Sequence, residues 1–581
     1  MKRDGLRNGM GLFAALALAF LTGFAVYRIF NFTYNLADDI IMRDIASGAF
    51  TGTPDGHLIF IQYVFGFLLS RLYMLNRSID WYGFAIVGAL FLGVAAILYR
   101  GFTAEKKLKW KVVYGGIVLC FFVIVLQWHV VWFEWTVSAA VAGGAALYLY
   151  ATSMTDKRSV KIMDGVFIWL LLIVTMCIRK HIFYMVVPGF GLFFLWRFFK
   201  RDGKKIRPIF HELILPGAVF LSVGVIALTE NLVYSGEDWK EYEDFNLLRS
   251  QVYDYSDTLM YETNPTYFDT MGLDEHDVRN LRHGAFYFVE GLDTEMMQLL
   301  SWEREIEKRG SESPKERLWA GISLSAREIV NPAFFWISIP LLLLLCGTVF
   351  LAFVYKKELL FPLFLFLIME GALWFMLGIR GRLPERVSYS LYFVSFMGVV
   401  AILYQLIFTV EKKIGMEKRR ERRILLTGIL GICLCTAVIR GKIDYRDRCA
   451  ERTGYQYFKD ACKDDTDRIY FIENILADAV GGDMVTTHGD FRLNRCLTLG
   501  DWYSFSPIDK ERFAVYGIEN VEEAVLTDPR VYLVVPVVET PGFYGSYFTH
   551  KYPDAKVLLK ECKVVNGRNY YLYQVRRRGE E

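Results

Sequence analysis

Asp38, Asp39, Asp44, Asp55 and His57 crowd into "NLADDIIMRDIASGAFTGTPDGHLIFIQYVFG", residues 35–66, directly after the first apolar stretch of the chain. Adjacent carboxylates beside a bilayer repel, and need a proton or a cation to sit together. A carboxylate there can serve as general base on a sugar hydroxyl or hold a divalent ion through oxygen ligands. A further acid stands in "QWHVVWFEWTVS", where Glu134 follows His129. Acids on two loops at one membrane face could share a cleft. The plainer reading, strongest for Asp44 and Asp55, is that they are solvated helix ends.

Positive charge forms a second set: Arg179, Lys180 and His181 in "RKH", and Arg380, Arg382 and Arg386 in "IRGRLPERVS". Arginine presents a planar fork that matches phosphate. The same cations could equally face anionic lipid headgroups or nearby acids. A third set is aromatic: Trp239 and Tyr242, followed by Phe245, Tyr253, Tyr255 and Tyr261. Flat apolar faces with polar rims suit sugars, although Trp and Tyr also collect at membrane interfaces without any ligand.

The elements that must position these groups are membrane helices. Of 581 residues, 54% are hydrophobic and 16% aromatic, and the charges lie between long apolar runs, so the chain is a polytopic membrane protein rather than a soluble enzyme. The net charge of +3, with no long basic or acidic tail, excludes a nucleic-acid partner. A spanning helix needs about 20 mainly apolar residues. Candidate runs fall at 10–30, 58–75, 81–99, 112–130, 137–152, 163–178, 182–198, 209–229, 333–354, 359–378, 387–410 and 424–439.

Short cytoplasmic loops hold an excess of Lys and Arg. Counting every run as a crossing puts "RGFTAEKKLKWK", residues 100–111, outside, together with most later basic loops. If 58–75 lies along the outer face instead, the basic stretches fall on one side, and eleven crossings remain. Such a helix keeps its backbone bonds internal, so this placement is physically allowed. The expected architecture is mainly α. It has an N-terminal bundle over 1–229 with an acidic outer loop 31–57 and the juxtamembrane helix 58–75, then an extracytoplasmic, mainly helical segment 230–331. Transmembrane helices follow over 332–440, and a small extracytoplasmic α/β domain occupies 441–581.

In that last domain "ERTGYQYFKDACKD" reads as a helix, "RIYFIEN" and "RVYLVVPVV" as strands, and "KVLLKECKVVNGRNYYLYQV" as a hairpin turned by Asn566 and Gly567. Within it Cys449, Cys462, Cys496 and Cys562 can pair in three ways, and spacing selects none. The other five cysteines lie in apolar spans. The chain holds no CxxC pair, Walker loop or strand-preceded GxGxxG.

This order of features resembles the GT-C superfamily, integral-membrane glycosyltransferases that use polyprenyl-phosphate-linked sugars. The shared features are an acidic pair after the first helix, an outer-face helix opening near a His, a second acid on a later outward loop and a C-terminal outer domain. The resemblance implies that Asp38 or Asp39 is the catalytic base and that Glu134 is the second acidic site. It also implies that the outward Arg and Lys residues hold the lipid phosphate. "PDGHLIFIQYVFG" resembles the stretch leading into the juxtamembrane helix, except that its Pro precedes His57 and none follows. Implied partners are a lipid-linked sugar donor, a glycan, lipid or protein acceptor, and membrane lipids. Mg2+ or Mn2+ bridging Asp39 and Glu134 is permitted but not required. The expected location is a bacterial plasma membrane with the N-terminus cytoplasmic. A transporter or flippase of lipid-linked sugars, a polymerase of lipid-linked repeat units and a non-catalytic envelope assembly protein are the competing readings.

Overall fold

The computed structural model describes residues 2–104, 107–153, 158–199, 207–253, 260–301, 313–413, 419–448, 454–472, 491–535 and 542–577. Cys449, Tyr255 and parts of the basic loops around Lys106, Lys157 and Lys200 lie outside the described residues.

The chain is mainly helical, with a small C-terminal sheet. Among the described residues, eight helices are long and apolar enough to cross a membrane, beginning with Gly9–Phe30 and ending with Glu385–Leu406. Four of the twelve apolar runs do not meet that standard, for different reasons. The 58–75 run folds as helix α3 only over Tyr63–Leu75, 13 residues, which at 1.5 Å per residue reaches about 20 Å and is shorter than the hydrocarbon layer. The 163–178 run gives an apolar helix of similar shortness, Ile162–Ile178. The 424–439 run lies within the Arg419–Arg448 helix, which is only partly described at side-chain level.

The 137–152 run is the most instructive. Helix α7, Trp135–Thr152, is buried along its whole length, and it is built largely from Ala, Gly, Ser and Thr. Small residues let helix backbones approach closely, which is how membrane bundles pack without a hydrophobic driving force. Gly93 and Gly144 make two of these approaches. A Cβ at Gly93 would lie 2.8 Å from the Val141 carbonyl oxygen, and one at Gly144 would lie 2.9 Å from the Phe393 ring. Around α7 pack α4 (Trp81–Thr103), α8 (Arg158–Ile178), α9 (Lys180–Phe199) and the Glu385–Lys413 helix.

The 108–131 span is continuous but widens into a π-turn at Phe122–Leu126. A π-turn disrupts the regular backbone ladder. Here the Tyr389 hydroxyl donates to the Val125 carbonyl. At the opposite end of α4, Arg100 is buried and pairs with Asp164 at 2.8 Å while also donating to Thr152 and the Leu149 carbonyl, so this member of the basic stretch is a strut.

The C-terminal domain carries a five-stranded sheet in the order β4-β3-β5-β7-β6. Its strands are β3 (Ile469–Ile472), β4 (Cys496–Thr498), β5 (Val531–Val535), β6 (Ala555–Val565) and β7 (Arg568–Arg577). β3 is parallel to β4 and β5, and β7 is antiparallel to β5 and β6. The expected helix lies at Gly454–Cys462. The hairpin turns as expected, with Asn566 at φ 49° and Gly567 at φ 73°, the pair of positive angles a type I′ turn demands.

Candidate functional site

Two residues of sheet bring the acids together. β1 (Thr33–Tyr34) pairs in parallel with β2 (Trp132–Phe133), and the Asn35 N–H donates to the Phe133 carbonyl at 2.9 Å. Each short strand leads straight into a helix that begins with an acid. Asp38 and Asp39 occupy the first turn of α2 (Ala37–Ser47), and Glu134 is the residue immediately before α7, with no side-chain capping hydrogen bond. Helix N-termini favour negative charge, which helps seat three carboxylates here. α2 then stops at Gly48, whose φ of 84° and whose contact with the Pro54 backbone leave no room for a Cβ.

Asp39 is completely buried. Tyr82 donates to its Oδ1 at 2.7 Å, and its Oδ2 has no hydrogen-bond partner among the described residues. Burial pushes Asp39 well above the usual carboxylate range, and the nearby Glu134 and Asp38 add to the effect while Tyr82 and Arg386 oppose it. Glu134 is likewise raised by burial, to about 7, with Arg386 and Asn35 pulling the other way. Asp38 is only half-buried. Trp502, reaching in from the C-terminal domain, donates its indole N–H to Asp38 Oδ1 at 3.0 Å. Asp38 is thus the member of the trio that a ligand can touch.

The folded value of Glu134 lies above its ordinary 4.5. Between pH 4.5 and about 7 the folded chain keeps a proton that the unfolded chain has lost, so this group's contribution to stability is full below 4.5 and declines as the pH rises to about 7. The decline is on the order of 3 kcal/mol. Glu134→Gln removes the charge and keeps the shape. Thermal unfolding of the solubilised variant is expected to be flatter than wild type between about pH 5 and pH 7, the window set by these two values. An equally steep variant would show that Glu134 is not the group responsible.

The cations gather nearby. Arg179, Lys180 and Arg380 all lie within electrostatic reach of His181, so the 179–181 turn and Arg380 share one neighbourhood. Arg179 sits over the Trp135 ring, 4.0 Å from its centroid, and also faces Phe60. Phe60 in turn stacks on Trp135 and touches Trp502. An aromatic bridge of Phe60, Trp135 and Trp502 therefore joins the acid cluster to the cation cluster. Arg386 belongs to the acids rather than to the other cations, since it acts on both Asp39 and Glu134. Arg382 follows Arg380 in the same turn, half-buried.

His57 stands in a separate nest. Its Nδ1 is 2.6 Å from Asp55 Oδ1, its ring stacks on Trp239 with centroids 4.9 Å apart, and Tyr63 and Tyr234 pack beside it. Burial raises the Asp55 carboxyl, but the hydrogen bonds and charge of His57 outweigh it, and the net shift is downward. Tyr242 is buried, and its hydroxyl donates to the Trp502 carbonyl at 2.7 Å, so it braces the indole that caps Asp38. Asp44 is no solvated end. It is buried between Arg43 at 2.7 Å and Lys459 of the C-terminal domain at 2.9 Å.

A cavity of about 280 Å³ opens beside Glu385, lined by Trp128, His129, Trp336, Tyr389 and Arg440 among others. Glu385 also acts electrostatically on Glu134, which places this cavity next to the acids. Sequence reasoning missed Tyr82, Trp502, Trp135 and Glu385. Glu385 and Trp135 adjoin residues already singled out, whereas Tyr82 and Trp502 carry no local signal.

Among the described residues, no three His, Cys, Asp or Glu side chains come together in a way that could hold a metal ion. Mg2+ keeps several waters and an open octahedral shell. The wholly buried Asp39 does not offer such a shell, so Asp39 and Glu134 alone do not fit the Mg2+ or Mn2+ bridge that their residue types permitted. The chain matches no family model and no curated protein sequence.

Proposed function

We propose that this protein is a membrane glycosyltransferase of the GT-C kind, moving a sugar from a polyprenyl-phosphate carrier to an acceptor on the outer face of the membrane. The observation that carries this reading is the β1–β2 pairing, which sets Asp38, Asp39 and Glu134 at one point beside a cluster of Arg and Lys. Transfer requires a base for the acceptor hydroxyl and positive charge for the departing phosphate, and the two clusters supply these from opposite ends of one aromatic bridge.

Asp38, the accessible acid, takes the proton of the attacking hydroxyl. The acceptor oxygen bonds to the anomeric carbon as the carbon–phosphate oxygen bond breaks, and the lipid phosphate leaves. Arg179, Lys180 and Arg380 stabilise its charge. Asp39, held by Tyr82, and Glu134, balanced by Arg386, keep Asp38 in place and share the buried protons of the cluster. The cavity lined by Trp128 and Trp336 is large enough for a sugar ring, and its indoles offer the flat faces such a ring needs.

In this reading α3 lies on the outer face, eleven helices cross, the N-terminus is cytoplasmic, and the 230–331 segment and the C-terminal domain stand outside a bacterial plasma membrane. Lys107 should then resist a membrane-impermeant amine reagent in intact cells while Lys560 reacts. Labelling of Lys107 from outside would put the acids on the wrong side. A carrier of lipid-linked sugars is the second reading, favoured by Glu370. This carboxylate is buried within a span, with Ser395 donating to one oxygen at 2.8 Å and the other oxygen without a partner among the described residues. Purified protein incubated with a radiolabelled polyprenyl-phosphate sugar separates the two, because only a transferase releases the lipid phosphate.

A further inference from the structure

We propose that Cys462 and Cys496 form a disulfide that ties the Gly454–Cys462 helix to strand β4. The proposal rests on the outward placement of the C-terminal domain and not on sugar transfer.

Four cysteines of this domain left three pairings open, and the fold chooses among them. Phe458 and Cys462 are one helical turn apart and share a face. Phe458 packs edge-on against Tyr470, with ring centroids 5.5 Å apart, and Tyr470 is the register partner of Cys496 across β3 and β4. The helix is thereby docked so that Cys462 lands on Cys496. Both residues are buried in one cluster with Phe458, Tyr470 and Leu572. Cys562, by contrast, is exposed.

The surroundings also favour the chemistry. Lys563 brings its Nζ to 3.4 Å from Cys462 Sγ. In the closed domain the nearness of Cys496, with the Lys563 ammonium assisting, holds the Cys462 thiol below its ordinary value, while Cys462 and burial push Cys496 up. The thiolate is the nucleophile in exchange. While the helix is still open, one of the two thiols, as its thiolate, attacks an exported thiol–disulfide oxidoreductase at its catalytic disulfide, forming a mixed disulfide. The other thiol, losing its proton, then displaces that enzyme's sulfur. One disulfide forms here, one is reduced in the donor, and the two electrons pass to the donor with the two thiol protons balanced between donor and solvent. Since both thiols are buried in the finished domain, the exchange occurs before the helix closes on the sheet.

The bond has a consequence for the acid cluster. Lys459, one turn before Cys462, is the residue that reaches Asp44 on α2. A covalent tie on this short helix fixes the arm that links the C-terminal domain to the first acidic helix.

The test is peptide mapping of the full-length protein, purified without reductant from membranes and alkylated under denaturing conditions before trypsin. The expected result is peptide 460–463 linked to peptide 496–510, the link disappearing when dithiothreitol precedes alkylation. Cys562→Ser should leave this link intact. Alkylation of both Cys462 and Cys496 without reductant, or a link from either one to Cys449 or Cys562, would overturn the pairing. Labelling of Cys562 in intact cells by an impermeant maleimide reports orientation separately. With Cys562 labelled and both buried thiols free, the disulfide fails while the topology stands. With Cys562 unlabelled and both free, both fail.

Discussion

Asp38→Asn is expected to lower sugar transfer by roughly 100- to 10,000-fold, the usual contribution of a positioned general base, while leaving the protein folded and donor affinity little changed. The asparagine keeps an oxygen to accept the Trp502 indole N–H, so the contact that anchors the C-terminal domain to α2 survives. What is lost is a carboxylate able to take the acceptor's proton. Asp39→Asn makes the informative comparison. Asp39 is buried, already held by Tyr82 and raised well above the usual carboxylate range by burial. An amide there resembles the protonated acid, so its effect on turnover should be far smaller. Reversed effects, with Asp39→Asn the inactive variant, would move the base into the buried position and require the site to open before reaction.

Asp44→Ala should cost about 3–5 kcal/mol, as removal of one partner from a buried ion pair does. Asp44 sits between Arg43 and Lys459 with little exposure of any of the three, and truncating it removes the carboxylate that both cations share. Burial alone would raise this carboxyl. Lys459 and Arg43 outweigh burial, and the folded value falls below the ordinary 3.8. The stabilisation is therefore complete above 3.8 and disappears only as the pH falls through the lower, folded value. At neutral pH the variant should show an earlier unfolding transition and faster proteolysis of the C-terminal domain, measured in detergent against wild type. Unchanged unfolding would mean that the pair of cations finds another counter-ion. Because Asp44 joins α2 to the C-terminal domain, this loss should also lower transfer, whereas Lys459→Met, which removes one of the two cations, should be milder in both assays.

Much of this site was legible because local chemistry announced it. The carboxylates at 38, 39 and 134 and the basic turns at 179–181 and 380–386 each break the charge pattern of a membrane chain, and each turns up in one neighbourhood. The C-terminal strands and the Asn566-Gly567 turn were readable from short-range signals alone. Span counting was harder, since hydropathy measures transfer to lipid. Helix α7 faces other helices on every side and is made of small residues, so composition understates its place at the centre of the bundle. α3 is apolar enough to mimic a span but stops after 13 residues. Trp502 and Lys459 were out of reach for another reason: they touch Asp38 and Asp44 across more than 400 positions, and only folding of a separate domain brings them there.

The most direct test of sugar transfer at this site is turnover by purified wild-type protein on a panel of synthetic polyprenyl-phosphate sugars, followed by release of polyprenyl phosphate and by sugar appearing on an acceptor. At least one donor should be consumed with multiple turnovers, and Asp38→Asn at matched expression should slow release by the same roughly 100- to 10,000-fold. Donor that binds but is never cleaved, with binding unchanged in Asp38→Asn and Asp39→Asn, would contradict the account and point instead to a carrier whose paired acids only seat a helix at the membrane surface.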